Sequence, residues 1–141
     1  MSFNVEHMSK KMKKYKKTTS YALLAVGYIA EYSQEGPVEA SAISEQFDIP
    51  MLYLFKVLGE LKKANIVKSK RGPGGGSSLA RPAEDITLLE IIETIDGKMF
   101  KKLEEFTDNK LFNSKIKEVF QQAREQYRQV TLAEMIKKGE S

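Results

Sequence analysis

The sequence predicts a mainly α-helical domain with a small β-hairpin wing, a winged helix-turn-helix, followed by a long C-terminal helix. Three observations carry this. Two short amphipathic helices are joined by the tight turn Asp48-Ile49. A glycine-rich hairpin follows directly, with Arg71-Gly72-Pro73-Gly74-Gly75-Gly76 at its tip. A heptad-like apolar seam then runs from Ile116 to Val130.

Each element has its own signal. Residues 18–34 place Tyr21, Leu24, Ala25, Tyr28, Ile29 and Tyr32 at helical spacing, with Thr18, Thr19 or Ser20 as cap and Gly36-Pro37 as stop. Residues 39–47 turn Ala42, Ile43 and Phe47 inward. Pro50 suits the opening turn of the third helix, which runs to about Ala64 with Met51, Leu54, Val57, Leu58 and Leu61 inside. Residues 66–70 and 77–80 form the two strands of the hairpin, and the glycines between them permit positive φ and a close backbone approach to a phosphate. Thr87 caps a fourth helix and Glu90 completes a capping box, with Leu88, Ile91, Ile92 and Ile95 as its apolar stripe and Asp96-Gly97 as its end. Residues 98–109 are charged and irregular, and Leu111 to Ile136 reads as one long helix, bent near Thr131. The expected organisation is a basic tail (1–17), a winged helix-turn-helix (18–97), and a linker with a dimerisation helix (98–141).

Composition narrows the function classes. The 141 residues contain no cysteine, which removes disulfides, thiolate metal sites and thiol chemistry. The one histidine, His7, lies in a polar tail and reads as solvated. No apolar run approaches a membrane span and no secretory signal is evident, so a cytoplasmic location is expected. An enzyme is not expected: Glu90/Glu93 and Glu104-Glu105 read as solvated surface charge, without a nucleophile or poised base nearby. The glycine loop lacks the Lys-Ser/Thr ending of a nucleotide-phosphate loop. Residues 1–81 carry 13 Lys/Arg against 7 Asp/Glu, whereas residues 82–141 carry 10 against 12, so the front half is basic. That imbalance points to a polyanion, and the lysines between Lys10 and Lys17 form either a solvated arm or one that tracks phosphates.

The candidate DNA-contacting residues follow. The outward stripe of the third helix carries Leu52, Phe55, Lys56, Gly59 and Lys63. Lys56 has the chemistry to donate to guanine, Leu52 and Phe55 to touch thymine methyls, and Lys63 to meet phosphate. In the wing, Lys70 and Arg71 with Gly72, Gly74 and Gly75 are placed for backbone and minor-groove contact. Ser20, Tyr21 and Ser41 join the set. Ile116, Val119, Phe120, Ala123, Tyr127 and Val130 form the expected dimer interface, and a two-fold dimer would meet a palindromic operator in double-stranded DNA. The alternative is a protein-interaction module that docks a partner through Leu52 and Phe55.

Taken together, Ser20-Tyr21-Ala22-Leu23, Gly36-Pro37-Val38, Ile43-Ser44-Glu45, Tyr53-Leu54, Leu58, Leu61-Lys62-Lys63, Ser69, the Arg71–Gly76 run, Leu79-Ala80 and Ile86-Thr87 resemble the iron–sulfur cluster regulator (Rrf2) family. Val130-Thr131-Leu132-Ala133 is similar to its closing motif. The resemblance covers residues 18–97 well and the last helix more loosely. It implies a winged-helix dimer built on its long C-terminal helices, binding operators near promoters, usually as a repressor, with Arg71 in the minor groove. The polar base-reading positions of the cluster regulator fall here on Leu52, Phe55 and Lys56, and Ser77 stands where a tyrosine is usual, so no operator sequence transfers. Many members hold an iron–sulfur cluster on cysteines between the fourth helix and the long helix. The matching window, Asp96 to Asn109, has none, which implies a member without cluster or other cofactor. A small-molecule ligand, a protein partner or concentration alone stay open as the means of control.

Overall fold

Small side chains decide how the first helix packs. In the computed structural model, which describes residues 17–99 and 108–137, α1 spans Lys17–Tyr32. Its core face is Ala22, Ala25, Val26 and Ile29, all fully buried, with Ala30 beside them. The stripe expected from the tyrosines is therefore rotated: Leu24 and Tyr32 are exposed, and Tyr28 packs outside the alanine face, its ring 4.5 Å from Tyr32 and 5.9 Å from Phe47. α1 is the central helix, and alanines let its neighbours approach closely where tyrosines would hold them off. Thr18, Thr19 and Ser20 already lie within the helix, so none of them caps it. A 3-10 turn (Ser33–Glu35) and Gly36 at φ 134° end it.

α2 (Ala40–Phe47) and α3 (Met51–Lys63) form the helix-turn-helix. Asp48 adopts the left-handed conformation at φ 53°, the Ile49 N–H donates to the Ser44 carbonyl at 3.1 Å, and the Ser44 hydroxyl donates back to the Ile49 carbonyl at 2.6 Å. Buried Ile49 pins this turn to the core. Pro50 stands just before α3 rather than in its first turn. Leu54, Val57 and Leu61 are buried as their spacing requires.

β1 (Val67–Lys70) and β2 (Gly76–Leu79) pair antiparallel, with Val67 opposite Leu79 and Lys70 opposite Gly76. Val38 adds a short third strand segment: its N–H and carbonyl each bond Ser77 at 2.8 Å. After a 3-10 turn (Ala83–Asp85), Thr87 caps α4 (Leu88–Asp96) by accepting the Glu90 N–H at 3.1 Å. The capping box is only half realised, because the Glu90 carboxylate is taken by Arg81. Arg81 also donates to the Asn65 and Asp85 carbonyls, which joins the hairpin exit to α4. The apolar stripe of α4 is broader than expected: Leu89 is buried with Ile91 and Ile92, while Leu88 is only half-buried.

The long helix is interrupted. α5 runs Lys110–Gln129, the chain extends at Val130-Thr131, and a one-turn α6 (Leu132–Met135) follows, capped by Thr131. The extended pair lies against residues 86–88: the Leu88 N–H donates to the Val130 carbonyl and the Leu132 N–H to the Ile86 carbonyl. A bend in one continuous helix is thus corrected to a break. The break drops Leu132, 1% exposed, into the core, on a turn packed against α1 and the 3-10 turn of residues 83–85. The winged-helix core therefore draws on both sides of the boundary expected at residue 97.

Candidate nucleic-acid interface

Two elements build one cationic face. Burial of Leu54, Val57 and Leu61 leaves Leu52, Tyr53, Phe55, Lys56, Gly59, Lys62 and Lys63 exposed on α3. The hairpin carries Lys68, Lys70 and Arg71 outward alongside it. Between helix and wing lies an open groove of about 580 Å³, lined by Phe55, Gly59 and Lys62 on one wall and Ser69, Lys70 and Arg71 on the other. Glu39 is the one carboxylate among the lining residues. The expected contacts Phe55, Lys70, Arg71, Gly72 and Gly75 are brought together here, while Leu52, Lys56 and Lys63 extend the same helix face beyond the groove.

The other expected contacts lie on neighbouring elements. Ser20 is exposed near the start of α1. Tyr21 is half-buried, its ring tilted against Tyr53 with centroids 6.4 Å apart, which sets the first turn of α1 beside that of α3. Ser41 is exposed and donates to Glu39 at 3.4 Å. Lys63 lies 4.0 Å from Glu60, a solvated pair that leaves its charge available. The lysine arm, apart from Lys17, falls outside the described residues.

The glycines of the wing divide their work. Gly72 and Gly74 sit at φ 87° and 75°, where a side chain would be strained. Gly75 serves a close approach to its own chain: a Cβ there would stand 2.2 Å from the Lys70 carbonyl oxygen. Gly76, at φ 146°, leaves room for the Val38 carbonyl. Ser77 is buried and held by its backbone bonds to Val38, where it lines the groove. Lys62 and Glu39 line the groove in addition to the residues expected from the sequence. Lys62 was legible as a matched lysine in the last turn of α3, but Glu39 enters only through the Val38–Ser77 pairing.

The seam of α5 has a different setting. None of its residues is buried, Ile116, Phe120, Ala123 and Tyr127 are half-covered, and Leu111 and Val119 are 71% and 59% exposed. Val130, past its end, is half-covered and engaged with Leu88. α5 is moored to α4 by a forked ion pair: Arg124 Nε donates to Glu93 Oε2 at 2.9 Å and Arg124 Nη2 to Oε1 at 2.6 Å. The Met99 N–H adds a third bond to Oε2 at 2.7 Å. The reading of Glu90 and Glu93 as solvated charge is corrected here, since each carboxylate is held by an arginine. Glu104-Glu105 lie outside the described residues.

Burial pushes the Glu93 carboxyl up, but the hydrogen bonds from Arg124 and Met99 and the charges of Arg124 and Lys98 outweigh it, and its pKa falls below the ordinary 4.5. The hydrogen bond to Glu93 holds Arg124 more firmly protonated. A carboxyl whose pKa is lower in the folded state contributes its full stabilisation above the unfolded value and loses it as pH falls through the folded one. The contribution of this pair is therefore complete above about pH 4.5 and fades below it. Both side chains are partly solvated, so Arg124→Gln should cost about 1 kcal/mol at neutral pH. Urea midpoints measured from pH 7 to 3 should converge for the two proteins at the acid end.

The fold family raises the question of an iron–sulfur cluster, and the donor set does not fit one. The chain holds no cysteine, and among the described residues no three His, Asp or Glu side chains converge as a metal site. Among the described residues no helix is long and apolar enough to cross a membrane.

Comparison with known proteins agrees with this geometry. A family model described as Rrf2, iron-dependent transcriptional regulator, matches residues 15–138. The HTH-type transcriptional regulator IscR of Photorhabdus laumondii is 42% identical over 76 residues, 54% of this chain and 46% of that protein. A protein of Aquifex aeolicus, provisionally named an HTH-type transcriptional regulator, is 33% identical over 129 residues, 84% of this chain and 88% of its own length. The chain spans about half the length of several curated relatives it matches. The solved structure of T. potens IscR superposes with a TM-score of 0.72 at 31% identity, covering 87% of this chain and 85% of that one.

Proposed function

Because the chain belongs to the Rrf2 family of transcriptional regulators, we propose that it is a sequence-specific DNA-binding repressor that acts as a two-fold dimer on a palindromic operator. The observation that carries this reading is the groove between α3 and the wing, with Lys62, Lys70 and Arg71 around it. α3 is shaped to enter a major groove, and Arg71, exposed at the wing tip, to follow the backbone into the adjacent minor groove. Ser20, Tyr21, Ser41, Lys56, Lys63 and the turn Gly72–Gly75 complete the contact set. The half-covered seam of α5 supports pairing with a second copy. The absence of thiolates supports control without an iron–sulfur cluster, through a protein or small-molecule effector or through concentration. A non-enzymatic, cytoplasmic protein fits the same reading.

The test is enrichment of sheared genomic DNA from the source organism, at near-physiological salt and with excess competitor. Retention of a few promoter fragments that share a palindrome is the expected result. Retention without enrichment would mean that the basic face binds DNA without reading it. Affinity for a recovered fragment should fall linearly with salt on a log–log plot, since several Lys and Arg displace counterions. Arg71→Ala should weaken that binding by about 1–3 kcal/mol, measured by fluorescence anisotropy, and unchanged affinity would remove the wing from the mechanism.

A further inference from the structure

The two most exposed large apolar side chains of α3 lie on its first two turns, three residues apart. Leu52 is 78% exposed and Phe55 58%. Side chains of this kind on a free surface call for an apolar partner, and their setting decides which. Lys56 adjoins them on the same helix, and Phe55 shares its groove with Lys62, Lys70 and Arg71. Glu39 alone opposes these cations along the groove. A polyanion with small apolar groups on its floor satisfies both features. In a DNA major groove only thymine presents an apolar group, its 5-methyl.

We infer that Leu52 and Phe55 select the operator by packing on thymine methyl groups, so that the half-site carries thymines opposite the first two turns of α3. This rests on the DNA-binding reading above and adds the chemistry of the bases read. Neither side chain has a donor or acceptor for a base edge. Lys56 is the charged donor beside them, suited to a neighbouring guanine. Thymine-to-cytosine changes at the contacted positions lose the methyl, and with it the apolar contact on which these side chains depend.

The probe is a duplex library with about 20 randomised base pairs, selected on the full chain. Winning sequences are resynthesised with deoxyuridine replacing thymidine one position at a time, which keeps the pairing and removes only the methyl. Affinity should fall about fourfold for each contacted methyl, the equivalent of one buried methylene. The sensitive positions should recur symmetrically in both half-sites. In Leu52→Ala and Phe55→Ala, thymine and uracil duplexes should bind alike at the position each side chain covers. The variants change only surface residues, and a circular-dichroism melt checks that they fold. Selected duplexes that tolerate uracil everywhere would overturn the methyl reading and leave DNA recognition standing. A uracil effect that survives both substitutions would overturn its assignment to these residues. A library that yields no winning sequence would overturn the DNA-binding reading and this inference with it.

Discussion

Leu132→Ala should lower the stability of the winged-helix unit by about 2–5 kcal/mol, the usual cost of deleting a buried leucine side chain. Although it stands 35 residues beyond Gly97, Leu132 is 1% exposed and packs in the same core as Ala22, Ile29, Ile86 and Ile91. Its position is over-determined. Thr131 caps the turn that carries it, and the backbone bonds of residues 130 and 132 lock that turn onto residues 86–88. The site has little freedom to collapse, which places the cost toward the upper part of the range. The urea midpoint should fall with an unchanged m-value, because the surface exposed on unfolding stays nearly the same. Met135→Ala, on the same turn but 41% exposed, should shift it little and serves as the control. A loss below about 1 kcal/mol for Leu132→Ala would mean that the turn is dispensable to the core.

Where the chain's own local pattern decides structure, the sequence was readable. The spacing of Leu54, Val57 and Leu61, the turn at Asp48-Ile49, the glycines after Arg71 and the cap at Thr87 each act over a few residues, and each appears where its chemistry requires. Where a distant element decides, local periodicity misled. The tyrosines of α1 form a good helical stripe, but the alanine face wins because four other helices pack against α1. Leu89 is buried because α4 is covered on a second face, the one that also carries Glu93 and meets α5. The Arg124–Glu93 fork joins residues 31 positions apart, and the Val38–Ser77 pairing 39 apart, with no motif to announce either. The break at Thr131 looks, in sequence, like a weak point in a helix. It becomes a cap only because Ile86 and Leu88 offer backbone partners. Among candidate site residues the same division holds. Arg71 and Phe55 follow from the local pattern, whereas their meeting across one groove depends on the β-bridge that positions the wing.

Ala123→Glu should convert the proposed dimer to a monomer and cost about two to four orders of magnitude in operator affinity. Ala123 is half-covered at the middle of the α5 seam, flanked by Phe120 and Tyr127. A two-fold interface repeats each residue, so one substitution places two carboxylates in a shared apolar surface, where each must be desolvated without a counter-charge. Glutamate is a good helix former, so α5 itself should persist. The core that holds the helix-turn-helix contains no α5 residue, so the melting transition of the monomer unit should move little. The loss of affinity comes from valency. In a dimer, engagement of one half-site makes the second intramolecular, and a monomer forfeits that gain without losing any contact of its own. Sedimentation velocity across micromolar concentrations, paired with anisotropy on the full palindrome and on a single half-site, separates the steps. A variant that stays dimeric would move the interface away from this seam. A variant that is monomeric yet binds the palindrome as before would show that one protomer suffices for recognition. The expected pattern is a monomer whose affinity for the half-site matches that of the parent and whose preference for the palindrome is gone.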